Sequence, residues 1–305
     1  MGVLRLGYVH VRVTDLEEAK NHYVNTLGLE AVQTEGNRLY LKGWDEWEHH
    51  SVVLEEGGVG LVKLGIKVET DDDLNNVENN ARSFGATVQR MSAGESLEVG
   101  QGLRITTPGD HVVEVYNQMT FNPSKLGYHN PEAFPRHLND SVGVPALDHM
   151  LLACEDATLS EKFFKDVFDL YPTEQVKPEV DSDVVLATWL SASQKAHDIA
   201  ILGGLPNGKL HHFAFQLDDW SSILYAADIF SMDEVSIDIG PTRHGITRGK
   251  TIYFFDPSGN RNETFAGGSS ASRDKPLIVW TPDQLGKGIF YHDRVLNERF
   301  TTVVT

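Results

Sequence analysis

Residues 7–30 read GYVHVRVTDLEEAKNHYVNTLGLE, and residues 148–171 read DHMLLACEDATLSEKFFKDVFDLY. Each stretch opens on an alternating apolar strand and passes through a Thr/Asp-type turn. Each then enters a helix-like run that ends on an aromatic pair or near-pair. LGL at 27–29 answers FDL at 168–170, and the two stretches lie 141 residues apart. At an offset of 149, TPGDHVVEVYN from Thr107 matches DPSGNRNETFA from Asp256, a Pro/Gly turn before a short strand with Glu at the same place. At that same offset KLGIKVETDDDL from Lys63 lies over HFAFQLDDWSSI from His212. The growth in offset implies about eight residues inserted between the first and second strands of the later copy.

Self-similarity at this spacing indicates a duplication of about 120 residues. Each copy reads as strand, helix, several strands, twice over, so the fold expected is α+β, built of tandem βαβββ modules. The boundaries implied are an N-terminal domain of two modules over 1–120, a connector over 121–143, a second two-module domain over 144–270, and a tail over 271–305. The connector holds the Pro-, Asn- and His-rich NPSKLGYHNPEAFPRHLND. In the tail, GGSSASRDKP reads as a flexible break. TPDQLGKGIFYHDRVLNERF after it reads as a helix, with Thr281 as N-cap and Pro282 in the first helical position.

The 305 residues carry a formal net charge of −18 and no Lys/Arg cluster, which argues against nucleic acid as a partner. No apolar run is long enough to cross a bilayer, and the first residues lack an apolar leader. The lone cysteine, Cys154, excludes an intrachain disulfide. A cytoplasmic, soluble protein is expected.

A duplicated fold makes one copy a control for the other. At three matched places the later copy has His149, His212 and Glu263, where the first has Tyr8, Lys63 and Glu114. Two histidines and a carboxylate from three strands form the ligand set of a facial-triad non-haem iron(II) site, with positions left open opposite. A single strand histidine is more often a core or surface residue than a ligand; the matched positions are what favour a metal here. Strand parity agrees. In LDHMLLAC the His149 face carries Leu151 and Ala153. In KLHHFAFQL the His212 face carries Ala214 and Gln216, while Phe213, Phe215 and Leu217 face the core. His211 must then point away from the cavity, if the strand is regular.

The stretches ALDHMLLA, KLHHFAFQL, IDIGPTRHGITRGKTIYFFDPSGNRNETF and DQLGKGIFYHDRVLNERF together resemble the catechol 2,3-dioxygenases, type I extradiol enzymes of the vicinal oxygen chelate superfamily. GYVHVRV, HYVNTLGLE and YLKGW extend the resemblance to the first half. It implies paired βαβββ modules, as the repeat does, and cleavage of a small aromatic diol with O2 beside the hydroxyls. It implies Fe(II), with Mn(II) possible, on His149, His212 and Glu263. It also implies a homotetramer and three further active-site residues. His197 is then a general base and later acid, His244 a hydrogen-bonding partner of a substrate oxygen, and Tyr253 a donor to the bound oxygens. The bland alternatives are a buried neutral histidine, a loop histidine and a core tyrosine.

Other features read as ordinary. EWEHH at 46–50 is expected to be a solvated loop, TDDDL at 70–74 a helix cap, and Cys154 a small buried hydrophobe. Two other functions stay open at this point. One is a metal-dependent glyoxalase- or epimerase-like lyase or isomerase of the same fold. The other is a non-enzymatic small-molecule binder.

Overall fold

The structure is a computed structural model and describes residues 2–138 and 140–305. In the first half, β1 (Val3–Val13), α1 (Leu16–Lys20), β2 (Glu30–Glu35), β3 (Arg38–Lys42) and β4 (Val52–Glu56) form one module. β5 (Gly60–Val68), α2 (Asp71–Phe84), β6 (Thr87–Met91), β7 (Gly102–Thr106) and β8 (Val112–Tyr116) form the next. These strands make one sheet in the order β2-β3-β4-β1-β5-β8-β7-β6. The second half repeats the plan with β9 (Leu147–Ala153), α3 (Ala157–Phe168), β10 (Tyr171–Val176), β11 (Ala187–Ser191) and β12 (Ile199–Leu202). It continues with β13 (Lys209–Leu217), α4 (Trp220–Met232), β14 (Ile237–Arg243), β15 (Gly249–Phe255) and β16 (Arg261–Gly267). The second sheet, read from one edge, runs β10-β11-β12-β9-β13-β16-β15-β14, with β17 (Ile278–Trp280) added beside β10. The mixed α+β fold of repeated βαβββ modules is the one expected.

The helices form for local reasons and dock by one face. In α2, Thr70 and Asp73 make a reciprocal capping box, and Gly85 closes the helix in the left-handed region at φ 91°. Its buried Leu74, Val77 and Ala81 lie on one face. In α3, Ser160, Phe163, Phe164 and Val167 do the same. The two helices meet through Phe84 and Phe163, edge to face with ring centroids 5.2 Å apart. Phe163, fully buried, contributes roughly 1.5–3 kcal/mol, and half-buried Phe84 less. A single apolar cluster runs through both halves, from Leu6 and Val9 to Phe254 and Ala266.

Registers bear out the matched positions. Gly65 pairs with Tyr8 and with Glu114. Ala214 pairs with His149 and with Glu263. The three places are therefore equivalent points on three adjacent strands.

Four sequence readings need correction. The inserted residues fall one strand later than expected: β10 keeps the offset of 141 from β2, whereas β11 stands 149 from β3. The insertion is the loop 177–186. The tail is not one helix. A 3-10 turn at Pro282–Gln284 leads into α5 (Leu285–Ile289), the chain then turns, and α6 (Glu298–Thr302) follows. Gly286 and Gly288 inside α5 weaken it, and the backbone of Arg294 packs where a Cβ on Gly286 would sit. The 46–50 loop is only partly solvated: Trp47 is exposed, but His49 and His50 are buried, and Glu48 binds Arg5 at 2.8 Å and Lys67 at 2.5 Å. Finally, β13 is not a regular strand. Leu210 pairs with Leu152 and His212 with Leu151, so His211 is an extra residue in a bulge. Among the described residues no helix is long and apolar enough to cross a membrane.

Candidate metal centre

Three adjacent strands, β9, β13 and β16, bring His149, His212 and Glu263 to one spot, with a ligand atom of each within 4.8 Å of the others. All three are buried. Nε2 of His149 and Nε2 of His212 each lie 3.1 Å from Oε2 of Glu263. The other carboxylate oxygen accepts the Thr251 hydroxyl at 2.5 Å, which leaves Oε2 turned toward the histidines. Behind His149, Nδ1 donates to Oδ2 of Asp148 at 2.6 Å, so the neutral ring presents the lone pair of Nε2 to the cavity.

Electron-pair donors converging in a buried site require a positive charge among them. Without an ion, a proton supplies it. Burial opposes a charged His149, but Asp148 and Glu263 outweigh burial and push its pKa up to about 9. Burial drives His212 the other way, to about 4, against its bond to Glu263. Burial alone would raise the Glu263 carboxyl, yet His149, His212 and His244 hold it well below the usual range. The donor set, two imidazoles and a carboxylate on one side of a cavity, fits a divalent cation such as iron(II) or manganese(II).

The cavity beside this spot is lined by His197, His244, Tyr253, Leu151, Trp189 and Ile246, among others. The structure thus brings together all six residues singled out from sequence. The His197 ring lies over His149 with centroids 3.9 Å apart, and its Nδ1 has no protein partner. Burial holds the His197 pKa well below the ordinary value, so the ring is neutral. His244 sends Nδ1 to the Ile289 carbonyl at 2.5 Å, and its Nε2 accepts from the Tyr253 hydroxyl at 2.9 Å. Tyr253 stands directly across from Glu263 in the β15–β16 ladder. Cys154 packs in the core away from the cavity, 3.3 Å from the Ser160 hydroxyl.

Sequence reading missed Asp148, Thr251 and the apolar wall of Trp189, Ile246 and Phe300. Asp148 carried a signal, since its counterpart in the first copy is Gly7. Trp189 and Phe300 carried none, because strand parity does not say which elements fold over a cavity.

The twin positions of the first copy show what replaces an ion. Lys63 Nζ lies 2.9 Å from Glu114 Oε1, and Ser96 donates to the other oxygen at 2.7 Å. Tyr8 also donates to Glu114. The lysine ammonium supplies a fixed positive charge there, where the second copy has an imidazole.

Comparison with known proteins agrees with this geometry. Residues 146–264 match the Glyoxalase/Bleomycin resistance protein/Dioxygenase superfamily, and residues 63–120 match a catechol 2,3-dioxygenase-like N-terminal domain. The chain is 45% identical to a metapyrocatechase of Pseudomonas sp. (strain CF600), over 100% of this chain and 99% of that one. It is 27% identical to a manganese-dependent 2,3-dihydroxybiphenyl 1,2-dioxygenase of Geobacillus genomosp. 3, over 95% and 94% of the two chains. A crystal structure of a 2,3-dioxygenase from Pseudomonas sp. KL28 superposes with a TM-score of 0.89 at 40% identity, covering 93% of this chain and 99% of that one.

Proposed function

The chain belongs to the metapyrocatechases, the catechol 2,3-dioxygenases, which are extradiol ring-cleaving enzymes, and from that premise we propose how its own residues do the chemistry. It opens a catechol with O2 beside the diol, giving a 2-hydroxymuconic semialdehyde. Family membership selects ring cleavage over the lyase, isomerase and binder readings. We assign His149, His212 and Glu263 as the ligands of an iron(II) ion. The donor set accepts manganese(II) as well, and a relative is named for that metal. The observation that carries the assignment is the convergence of two Nε2 atoms on one carboxylate oxygen, each at 3.1 Å.

When bound, the ion supplies Lewis acidity toward the diol and an electron path between diol and dioxygen. The protein does the rest. His197, neutral and buried against His149, is free to take a diol proton and return it later as the ring opens. The Tyr253–His244 pair offers a hydroxyl and an imidazole to the substrate oxygens, held in place by the Ile289 carbonyl. Leu151, Trp189 and Ile246 form an apolar slot that orients the ring and excludes water. Neither Lys nor Arg is among the lining residues. An anionic ring substituent would be left unpaired, so catechol and its alkyl or halo derivatives fit best.

We place the catalytic unit in residues 144–270 and the protein in the cytoplasm, consistent with its lone, buried thiol. We propose a homotetramer. The exposed aromatic cluster of Trp47, Phe121 and Tyr128 offers apolar surface for assembly, and light scattering measures its mass.

The test is direct. Iron(II) is loaded under argon, catechol and air are added, and the visible band of the yellow product is followed. Colour is expected; its absence with iron bound refutes ring cleavage. His197→Ala should keep the metal and lose about 10²–10⁴-fold in kcat. Equal loss of metal and turnover would make His197 a structural residue instead.

A further inference from the structure

We propose that His211 is a positioning residue, fixing the tautomer of ligand His212 and coupling the metal site to the segment 298–305. The inference rests on His212 being a ligand. It starts from the bulge in β13, which leaves His211 unpaired in the ladder. Leu210, just before it, exchanges both backbone hydrogen bonds with Thr305, at 2.8 and 2.9 Å. The His211 ring is buried, and its Nε2 lies 2.6 Å from the Phe300 carbonyl oxygen. A carbonyl only accepts, and at 2.6 Å it outweighs the Arg261 guanidinium, whose Nη1 stands 3.2 Å from the same nitrogen and is bonded to the Val303 carbonyl, so the ring proton sits on Nε2 and Nδ1 keeps its lone pair.

That Nδ1 is 2.7 Å from Nδ1 of His212. Of two facing nitrogens one must donate, so His212 carries its proton on Nδ1 and offers a bare Nε2 to the cation. With the proton on Nε2, His212 could not ligate. Arg261 anchors the far end of this relay. Its guanidinium donates to the Val303 carbonyl at 2.8 Å and to Asp238 at 3.0 Å. Phe300 also packs edge-on against His211 and Tyr253, at 4.8 and 4.7 Å.

The first copy separates architecture from function. Its β5 has the same bulge: Leu61 pairs with Val11 and Lys63 with His10, leaving Val62 as the extra residue. The bulge therefore belongs to the fold and needs no histidine. Only where the next residue is a ligand does the bulge carry an imidazole.

Two variants and one wild-type measurement test this. His211→Val installs the residue of the twin bulge, and His211→Gln restores an acceptor. Iron(II) affinity is read anaerobically against a chromophoric chelator, and the nitric oxide adduct is followed by electron paramagnetic resonance. We expect His211→Val to lose about 10–100-fold in affinity and to alter the adduct signal, with His211→Gln recovering part of both. Coupling is reciprocal. Iron loading should therefore slow amide exchange in residues 298–305 of the wild type, and His211→Val should abolish that protection. Wild-type affinity in His211→Val, or exchange in 298–305 indifferent to iron, would overturn the proposal. If both variants fail to fold, the wild-type exchange experiment alone decides. His212→Ala with undiminished affinity would instead overturn the ligand assignment.

Discussion

Glu114 and Lys63 stand in the first copy where the second has Glu263 and His212. Burial works to raise the Glu114 carboxyl, but Lys63 and the hydroxyls of Tyr8 and Ser96 hold its pKa down to about 2. A carboxylate depressed in the folded state stabilises above its unfolded pKa, and that stability is lost as the pH falls from about 4.5 toward 2. The depression alone corresponds to about 3 kcal/mol. The net gain is smaller, because burial lowers the Lys63 ammonium at the same time. Lys63→Met should therefore cost about 1–3 kcal/mol at pH 7, where it leaves buried Glu114 with Arg104 as its remaining cation beside the hydroxyls of Tyr8 and Ser96. It should also flatten the acid limb of a urea-unfolding series taken from pH 5 to pH 3. An unchanged slope would mean that other carboxylates set the acid limit. The lysine was visible in the sequence only as a missing histidine. Its role as a substitute charge needed the register, because Tyr8, Lys63 and Glu114 are far apart in the chain.

At the scale of elements, the ligands were legible because strands have a period of two and the repeat supplied a reference for each. The bulge at His211 was not, since parity assumes a regular ladder. The loop 244–248 was legible as a loop, but its backbone conformation was not. It bears His244 and Ile246 toward the cavity, and it holds Thr247 and Arg248 at φ 59° and 62°. Two consecutive non-glycine residues in the left-handed region cost about 1–3 kcal/mol each unless the surroundings impose them. Here β10 and the tail do so. Glu174 on β10 accepts the Thr247 N–H and the Trp280 indole N–H, both at 2.7 Å, and Gly288 accepts from Gly245 at 2.8 Å and from Ile246 at 2.9 Å. The tail thus replaces the long helix expected from its sequence with a brace for this loop. Glu174→Ala would orphan the buried Thr247 N–H and the half-buried Trp280 indole N–H, for a loss of about 1–3 kcal/mol. It would also loosen His244. We expect KM for catechol to rise about tenfold with kcat less affected, as steady-state kinetics on the iron-loaded enzyme will show. Unchanged KM at lowered stability would confine Glu174 to bracing alone.

For the whole molecule the question is what the first half does for the candidate site in the second, and the seam between the halves answers it physically. The hairpin β15–β16, which carries Glu263, turns through DPSGN and docks on the first copy. Tyr23 donates to Asp256 at 2.9 Å and accepts from Asn262 at 3.2 Å, while His22 reaches Asn262 at 3.1 Å. Asn260 donates to the Arg12 carbonyl and accepts from Gly60 N–H, each at 2.9 Å. Asn262 adjoins the proposed ligand, so the first copy holds the backbone that aims Glu263. With the apolar cluster continuous across the seam, neither half can lose its fold without exposing the other's core. Metal-free protein unfolded in urea should therefore show one transition, coincident by tryptophan fluorescence and far-ultraviolet circular dichroism. Tyr23→Phe removes one hydroxyl and leaves buried Asp256 and Asn262 each short of a partner. It should cost about 1–3 kcal/mol and move that single transition without splitting it. Two separate transitions, in the wild type or the variant, would mean that the halves fold independently and that the seam does not position Glu263.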